Sequence, residues 1–148
     1  MTSKGTLIEA WRYKHLWDTC WRETNWNNHT PGTEVDILTL DVPDKVYNMV
    51  ETLFKFVAYT SVPYDWLGLL AFVIPRQQKA NGMWFCSEGI QEVLRFVTQK
   101  TNYRLTSLDA PGWRLSPVNL YDILTAAGWE HAGTVVVQKG VQYEVISL

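Results

Sequence analysis

The sequence predicts an α+β fold, a small antiparallel sheet packed against helices, built as a single domain over residues 1–148. Three features predict it: apolar residues recur at helical spacing through the middle of the chain, β-branched runs sit towards its two ends, and Pro/Gly punctuation separates them. Strands and helices that are segregated rather than strictly alternating point away from a parallel α/β sheet. A chain of 148 residues buries roughly two thirds of its unfolded surface. Its 47% hydrophobic and 19% charged content is that of a globular chain and excludes intrinsic disorder.

Thr6 to Trp11 reads as a first strand, and Val35 to Leu40 as a second, bounded by Pro31-Gly32 and Pro43. Between them, Arg12 to Thr30 has no clean period and is expected to be a long Trp-rich excursion carrying His15, Cys20 and His29. Pro43 suits the first turn of a helix, and Val46, Val50, Leu53, Phe54 and Val57 repeat the apolar spacing of a helix over about Asp44 to Tyr59. Pro63-Tyr64-Asp65 stops that helix. Asp65 caps a short apolar helix through Ile74, and a polar, basic loop from Pro75 to Gly82 follows.

Cys86, Ile90, Val93, Leu94 and Val97 then form the apolar stripe of a further helix, with Ser87, Glu88, Gln91, Glu92 and Arg95 on the other face. A loop from about Thr101 to Leu115 leads to Ser116-Pro117, where serine caps and proline fixes φ, and Gly128 ends that helix. Thr134 to Gln138 and Gln142 to Ser147, joined through Lys139-Gly140, are expected to pair as a closing hairpin.

Composition narrows the function. A net charge of −2 with no basic face argues against nucleic acid, because neutralising phosphates needs one. Cys20 and Cys86 are 66 positions apart without CxxC or Cys/His metal spacing, so no disulfide framework, no metal site and no cofactor is expected. The longest uncharged apolar run, Trp66 to Ile74, is nine residues, against the ~20 that cross a bilayer. Met1 to Gly5 leads into a short apolar segment rather than a secretory core, so the expected location is cytoplasmic, in a host cytoplasm if the protein is viral. Of the eight tryptophans, Trp11, Trp17, Trp21 and Trp26 crowd the N-terminal quarter, as a core, a partner surface or a wall for a flat ligand.

The residue best placed for chemistry is Cys86, in Trp84-Phe85-Cys86-Ser87-Glu88, where an apolar run ends and a helical pattern begins. Unpaired N–H groups and the positive end of the helix dipole favour thiolate over thiol there. A small, fairly apolar residue packing at a helix start is the alternative reading. A nucleophilic thiol needs a base, usually histidine, and a third polar group to orient it. His131 lies at the mouth of a strand, whereas His15 and His29 fall in the irregular segment. Glu9 is a candidate third member if its strand neighbours that of His131, although a strand glutamate commonly just faces water. Ser87 and Glu88 are candidate backbone N–H donors to an oxyanion, with Gly89 leaving the approach uncrowded. Asp65 reads as a cap and Tyr64 as packing with its hydroxyl near a polar rim.

Pro63-Tyr64-Asp65-Trp66-Leu67-Gly68, Trp84-Phe85-Cys86-Ser87-Glu88 and Leu115-Ser116-Pro117 with Leu120-Tyr121, in that order, resemble the circularly permuted NlpC-type papain-like hydrolases of bacteria and their phages. Gly5-Thr6-Leu7-Ile8-Glu9-Ala10 looks like that family's second strand, so the resemblance covers roughly residues 5 to 125. It implies a papain-like core with Cys86 as nucleophile, acting on an amide or ester bond of a peptidoglycan peptide or acyl lipid. The family's histidine lies on a strand ahead of the Leu-Ile-Glu-Ala strand and has no counterpart here. Either the site is dead or the histidine comes from the other end, where His131-Ala132-Gly133 is similar to the His-x-Gly strand of the unpermuted enzymes. Two functions are therefore expected: a cysteine hydrolase using Cys86 and His131, or a degenerate papain-like fold serving as a viral or host-interaction module through its tryptophan cluster.

Overall fold

The computed structural model describes residues 7–11, 19–65, 84–109, 112 and 115–138. Their order is β1 (Leu7–Trp11), β2 (Cys20–Thr24), a single 3-10 turn (Trp26–Asn28), β3 (Glu34–Thr39), α1 (Asp44–Tyr59), α2 (Cys86–Lys100), α3 (Pro117–Ala126) and β4 (Glu130–Val136). The class is α+β, with antiparallel pairing throughout these strands. The expected short helix up to Ile74, the loop after it and the strand from Gln142 lie outside the described residues.

The sheet is divided. β1 pairs with β2, and β3 pairs with β4, as two separate two-stranded sheets. One sequence expectation is corrected here and the bounds of another are shifted. The Trp-rich excursion contains β2, whose Trp21 is buried to 1% exposure and whose backbone registers against β1 from Leu7↔Thr24 to Trp11↔Cys20. The last described strand begins at Glu130 and takes β3 as its partner, from Thr39↔Glu130 to Glu34↔Val136. Its register shifts between Ile37 and Leu38, where Ala132 is the extra residue and Gly133 adopts φ 143°.

Two apolar clusters hold the helices together. Val46 of α1, Leu94 and Val97 of α2, Leu105, Leu115, and Leu120 and Leu124 of α3 form one, with Leu38 and Leu40 packed on it. Trp21, Val57 and Val93 form the other, joined by Ile8, Phe54 and Trp84. The start of α1 thus meets the later turns of α2, and its end meets the earlier ones, so the two run antiparallel. Trp21 and Trp26, at 1% and 6% exposure, are core residues, which removes them from any partner surface.

The terminators act as the sequence implies. Ser116 caps α3 by accepting the Asn119 N–H at 3.2 Å, Pro117 takes the first turn, and Gly128 adopts φ 102° just beyond its end. Ser116→Ala is expected to lower stability by about 1 kcal/mol, measurable by urea denaturation, whereas Ser116→Asp should leave it nearly unchanged. No helix among the described residues is long and apolar enough to cross a membrane.

Candidate functional site

Cys86 is the first residue of α2, and the chain reaches it through a narrow seam. Trp21 N–H donates to Val62 O at 3.0 Å and Tyr64 N–H to Thr19 O at 3.1 Å, so residues 62–64 lie antiparallel along the free edge of β2. On their other side Trp84 N–H donates to Pro63 O at 3.1 Å, and Phe85 then enters the core at 1% exposure. This seam brings Tyr64 to Cys86. The Tyr64 hydroxyl donates to the Cys86 side chain and accepts the Cys86 backbone N–H. Burial first, then the adjoining thiol as charge and as acceptor, push the phenol up to about 12, so Tyr64 stays protonated and a donor at neutral pH.

From its sequence neighbours Tyr64 reads as packing with its hydroxyl near a polar rim, because the partner that places it, β2, is hidden in an aperiodic segment. The tyrosine falls within the Pro63-Tyr64-Asp65 motif itself. That adjacency was the available signal.

The remaining candidates are dispersed. Ser87 is 1% exposed and its hydroxyl donates to Leu115 O, so only its backbone N–H faces the helix mouth. Glu88, at 6% exposure, accepts the Phe85 N–H with its carboxylate, closing half of a capping box. Burial, with smaller contributions from Asp65 and Glu92, pushes its carboxyl up to about 7. Gly89 has a different function from the one its spacing suggested: a Cβ there would lie 2.4 Å from Trp21 Cζ2, so glycine admits the indole ring rather than a substrate.

The face of α2 opposite the apolar stripe is largely covered. Gln91 is fully buried, donating to Ser107 O at 2.9 Å and accepting from Thr106 Oγ1 at 2.5 Å. Glu92 pairs with Arg95 at 2.9 Å and accepts the Gly112 N–H at 3.0 Å. The loop after α2 folds back over this face and supplies the partners.

His131 and Glu9 are not brought together. β1 and β4 belong to different sheets, and each of the two side chains is engaged by other partners. His131 Nε2 is 3.3 Å from Asp36 Oδ1, on the exposed β3–β4 sheet, and Thr134 donates to the same oxygen at 2.6 Å. These two partners hold Asp36 below the usual carboxylate range. Trp129, two residues ahead of His131, donates to Leu105 O at 2.8 Å, and Leu105 N–H is held by Thr98 Oγ1 at 3.1 Å in the last turn of α2. The base of β4 therefore stands by the C-terminal end of α2. Cys86 is at the N-terminal end, ~21 Å away along the axis at 1.5 Å per residue.

Glu9 is engaged instead by His29, whose Nε2 lies 3.2 Å away, and by the Thr24 hydroxyl. Trp26 lies over that imidazole with centroids 6.2 Å apart. Ile8 joins the Trp21 cluster, so its neighbour Glu9 points to the opposite face of β1, away from α1 and α2. Cys20 is a free thiol and accepts from Arg22 at 2.9 Å. His15 lies outside the described residues. Among the described residues no group of three or more His, Cys, Asp or Glu is placed to hold a metal ion. No protein-family model, curated protein or solved structure matches the chain.

Proposed function

We propose that the Cys86 end of α2 is the site of a cysteine hydrolase acting on an amide or ester bond of the peptidoglycan-peptide or acyl-lipid type. One observation carries the reading: a thiol at the first position of a helix shares its hydrogen bonds with a half-buried, protonated tyrosine. Cys86 passes its thiol proton to an imidazole, its sulfur forms a bond to the substrate carbonyl carbon, and the carbonyl oxygen gains negative charge at the helix mouth. The Tyr64 O–H and the Ser87 backbone N–H are donors available to that oxygen. The carbon–nitrogen or carbon–oxygen bond then breaks, the departing amine or alcohol takes a proton from an imidazole, and water frees the acyl group as a carboxylic acid.

The imidazole proposed is His131, with His15 and His29 as the alternatives; His131 Nε2 is 3.3 Å from Asp36 Oδ1 and His29 Nε2 3.2 Å from Glu9. The experiment is acylation followed by intact mass, using a stem peptide and an acyl ester as substrates. The expected result is a transient adduct on Cys86 that is absent in Cys86→Ala, slowed at least about 100-fold by loss of the serving histidine, and slowed about tenfold in Tyr64→Phe. Comparing His131→Ala, His15→Ala and His29→Ala identifies which histidine serves. No adduct with either substrate overturns the reading.

A second reading is favoured by the placement of His131: a papain-like fold without its base that serves as an interaction module. It predicts that the biological effect survives Cys86→Ala. Because Trp21 and Trp26 are buried, its contact surface must lie elsewhere than on those two rings.

A further inference from the structure

At the end of α2 remote from Cys86, the last turn of the helix and the loop that follows it enclose an open cavity of about 530 Å³. That volume is within the roughly 300–1,000 Å³ of small-molecule sites. Its wall is fixed in place. Thr98 Oγ1 accepts the Leu105 N–H at 3.1 Å, the Trp129 indole N–H donates to Leu105 O at 2.8 Å, and Gln91 donates to Ser107 O at 2.9 Å. Thr101 Oγ1 accepts the Tyr103 N–H at 3.2 Å, and Ser107 Oγ accepts the Asp109 N–H at 3.3 Å. These bonds tie down the loop backbone and leave its longer side chains over.

The Asn102 amide, the Arg104 guanidinium and the Asp109 carboxyl line the cavity with no hydrogen-bond or ion-pair partner among the described residues. All three residues are exposed, as are Tyr103 and Leu108 beside them in the same lining. The chemistry of an occupant follows from this set. Arg104 and Asp109 cancel in charge, so an anion meets the carboxylate and a cation meets the guanidinium. An apolar ligand would strip water from all three polar heads and replace none of it. Closely spaced hydroxyls suit both charges at once: their oxygens accept from the guanidinium fork and the amide, and their protons go to the carboxylate. The C–H face of a sugar ring is flat and apolar, which matches an exposed tyrosine ring.

We propose that this cavity is a binding site for a neutral oligosaccharide, with Tyr103 as the platform and Asn102, Arg104 and Asp109 as the groups that read its hydroxyls. The site is separate from Cys86, and its occupancy does not depend on the hydrolase reading. Because Gln91, Thr98 and Trp129 already hold the wall, binding orders little beyond the lining side chains.

The test is a titration of the full chain with maltotriose, cellotriose and chitotriose, each to about 10 mM, followed through amide 1H–15N shifts. At least one sugar is expected to give saturable shifts centred on residues 98–109. Tyr103→Ala and Asp109→Ala should each weaken that binding about tenfold or more and leave Tm unchanged, since both side chains are exposed. Cys86→Ala should bind as the parent does, which keeps this result apart from the fate of the hydrolase reading. Raising NaCl from about 0.05 to 0.5 M should change little, because a neutral ligand is not screened. Absence of a saturable shift with all three sugars overturns the proposal, as does binding that survives in both cavity variants. Inorganic phosphate shifting the same amides at lower concentration than any sugar identifies an anion site and overturns it too.

Discussion

Gly89→Ala is expected to destabilise the domain by about 3 kcal/mol, at the severe end for overpacking a core. Helix propensity alone predicts the opposite, because alanine in place of glycine stabilises a helix interior by about 1 kcal/mol. Sterics win because the new Cβ meets Trp21 at 2.4, 2.8 and 3.1 Å, and the indole has nowhere to move. It is 1% exposed, stacked against Phe54 with centroids 6.4 Å apart, and its Nε1 donates to Trp84 O at 3.3 Å. A double-mutant cycle checks this account. In a Trp21→Leu background the alanine should become neutral or mildly stabilising, and an equal loss in both backgrounds would refute the steric explanation.

Gln91→Leu should cost about 2–4 kcal/mol, even though leucine has a similar volume and α2 tolerates it well. The glutamine amide is the buried link between the helix and the covering loop, satisfying Ser107 O and receiving Thr106 Oγ1. Leucine would leave the fully buried Thr106 hydroxyl with its partner gone. Adding Thr106→Val removes that orphan and should restore about 1–2 kcal/mol. Chemical denaturation measures both, and amide exchange at Leu105 and Thr106 should accelerate in the single variant only. No recovery in the double variant would place the cost elsewhere.

These two residues also show what a linear pattern conveys and what it conceals. Helix α1 was legible to its ends, Asp44 and Tyr59, because Pro43 and five correctly spaced apolar residues mark it. The start of α2 at Cys86 and the Ser116 cap of α3 were equally local signals. β2 was not legible, since Cys20-Trp21-Arg22-Glu23-Thr24 lacks clean alternation and is stabilised by Trp21 inserting against a glycine 68 positions later. Nor was the pairing of β4 with β3, because it joins strands far apart in the chain.

The site divides in the same way. Cys86 at a helix start follows from periodicity, but Tyr64 depends on three strand-like contacts across the chain, and the burial of Gln91 depends on a loop that has no period at all. His131 looked suitable by its own neighbours, His-Ala-Gly before a valine run. Which end of α2 it occupies is set by the pairing of Leu38 with it and the anchoring of Trp129 on Leu105.

The β3–β4 pairing carries a consequence for how the domain is made. It joins Thr39 to Glu130, so the three described helices and the Cys86–Tyr64 seam are enclosed in one chain loop of roughly ninety residues. During synthesis β3 emerges early and waits, with a row of open backbone donors and acceptors, until the ribosome has delivered β4. The helices can associate in that interval because Val46, Leu94, Val97 and Leu120 lie inside the loop. Closing the strand pair is then a late step, and the nascent chain passes through a period in which its most aggregation-prone edge is exposed while its candidate catalytic end is already assembled.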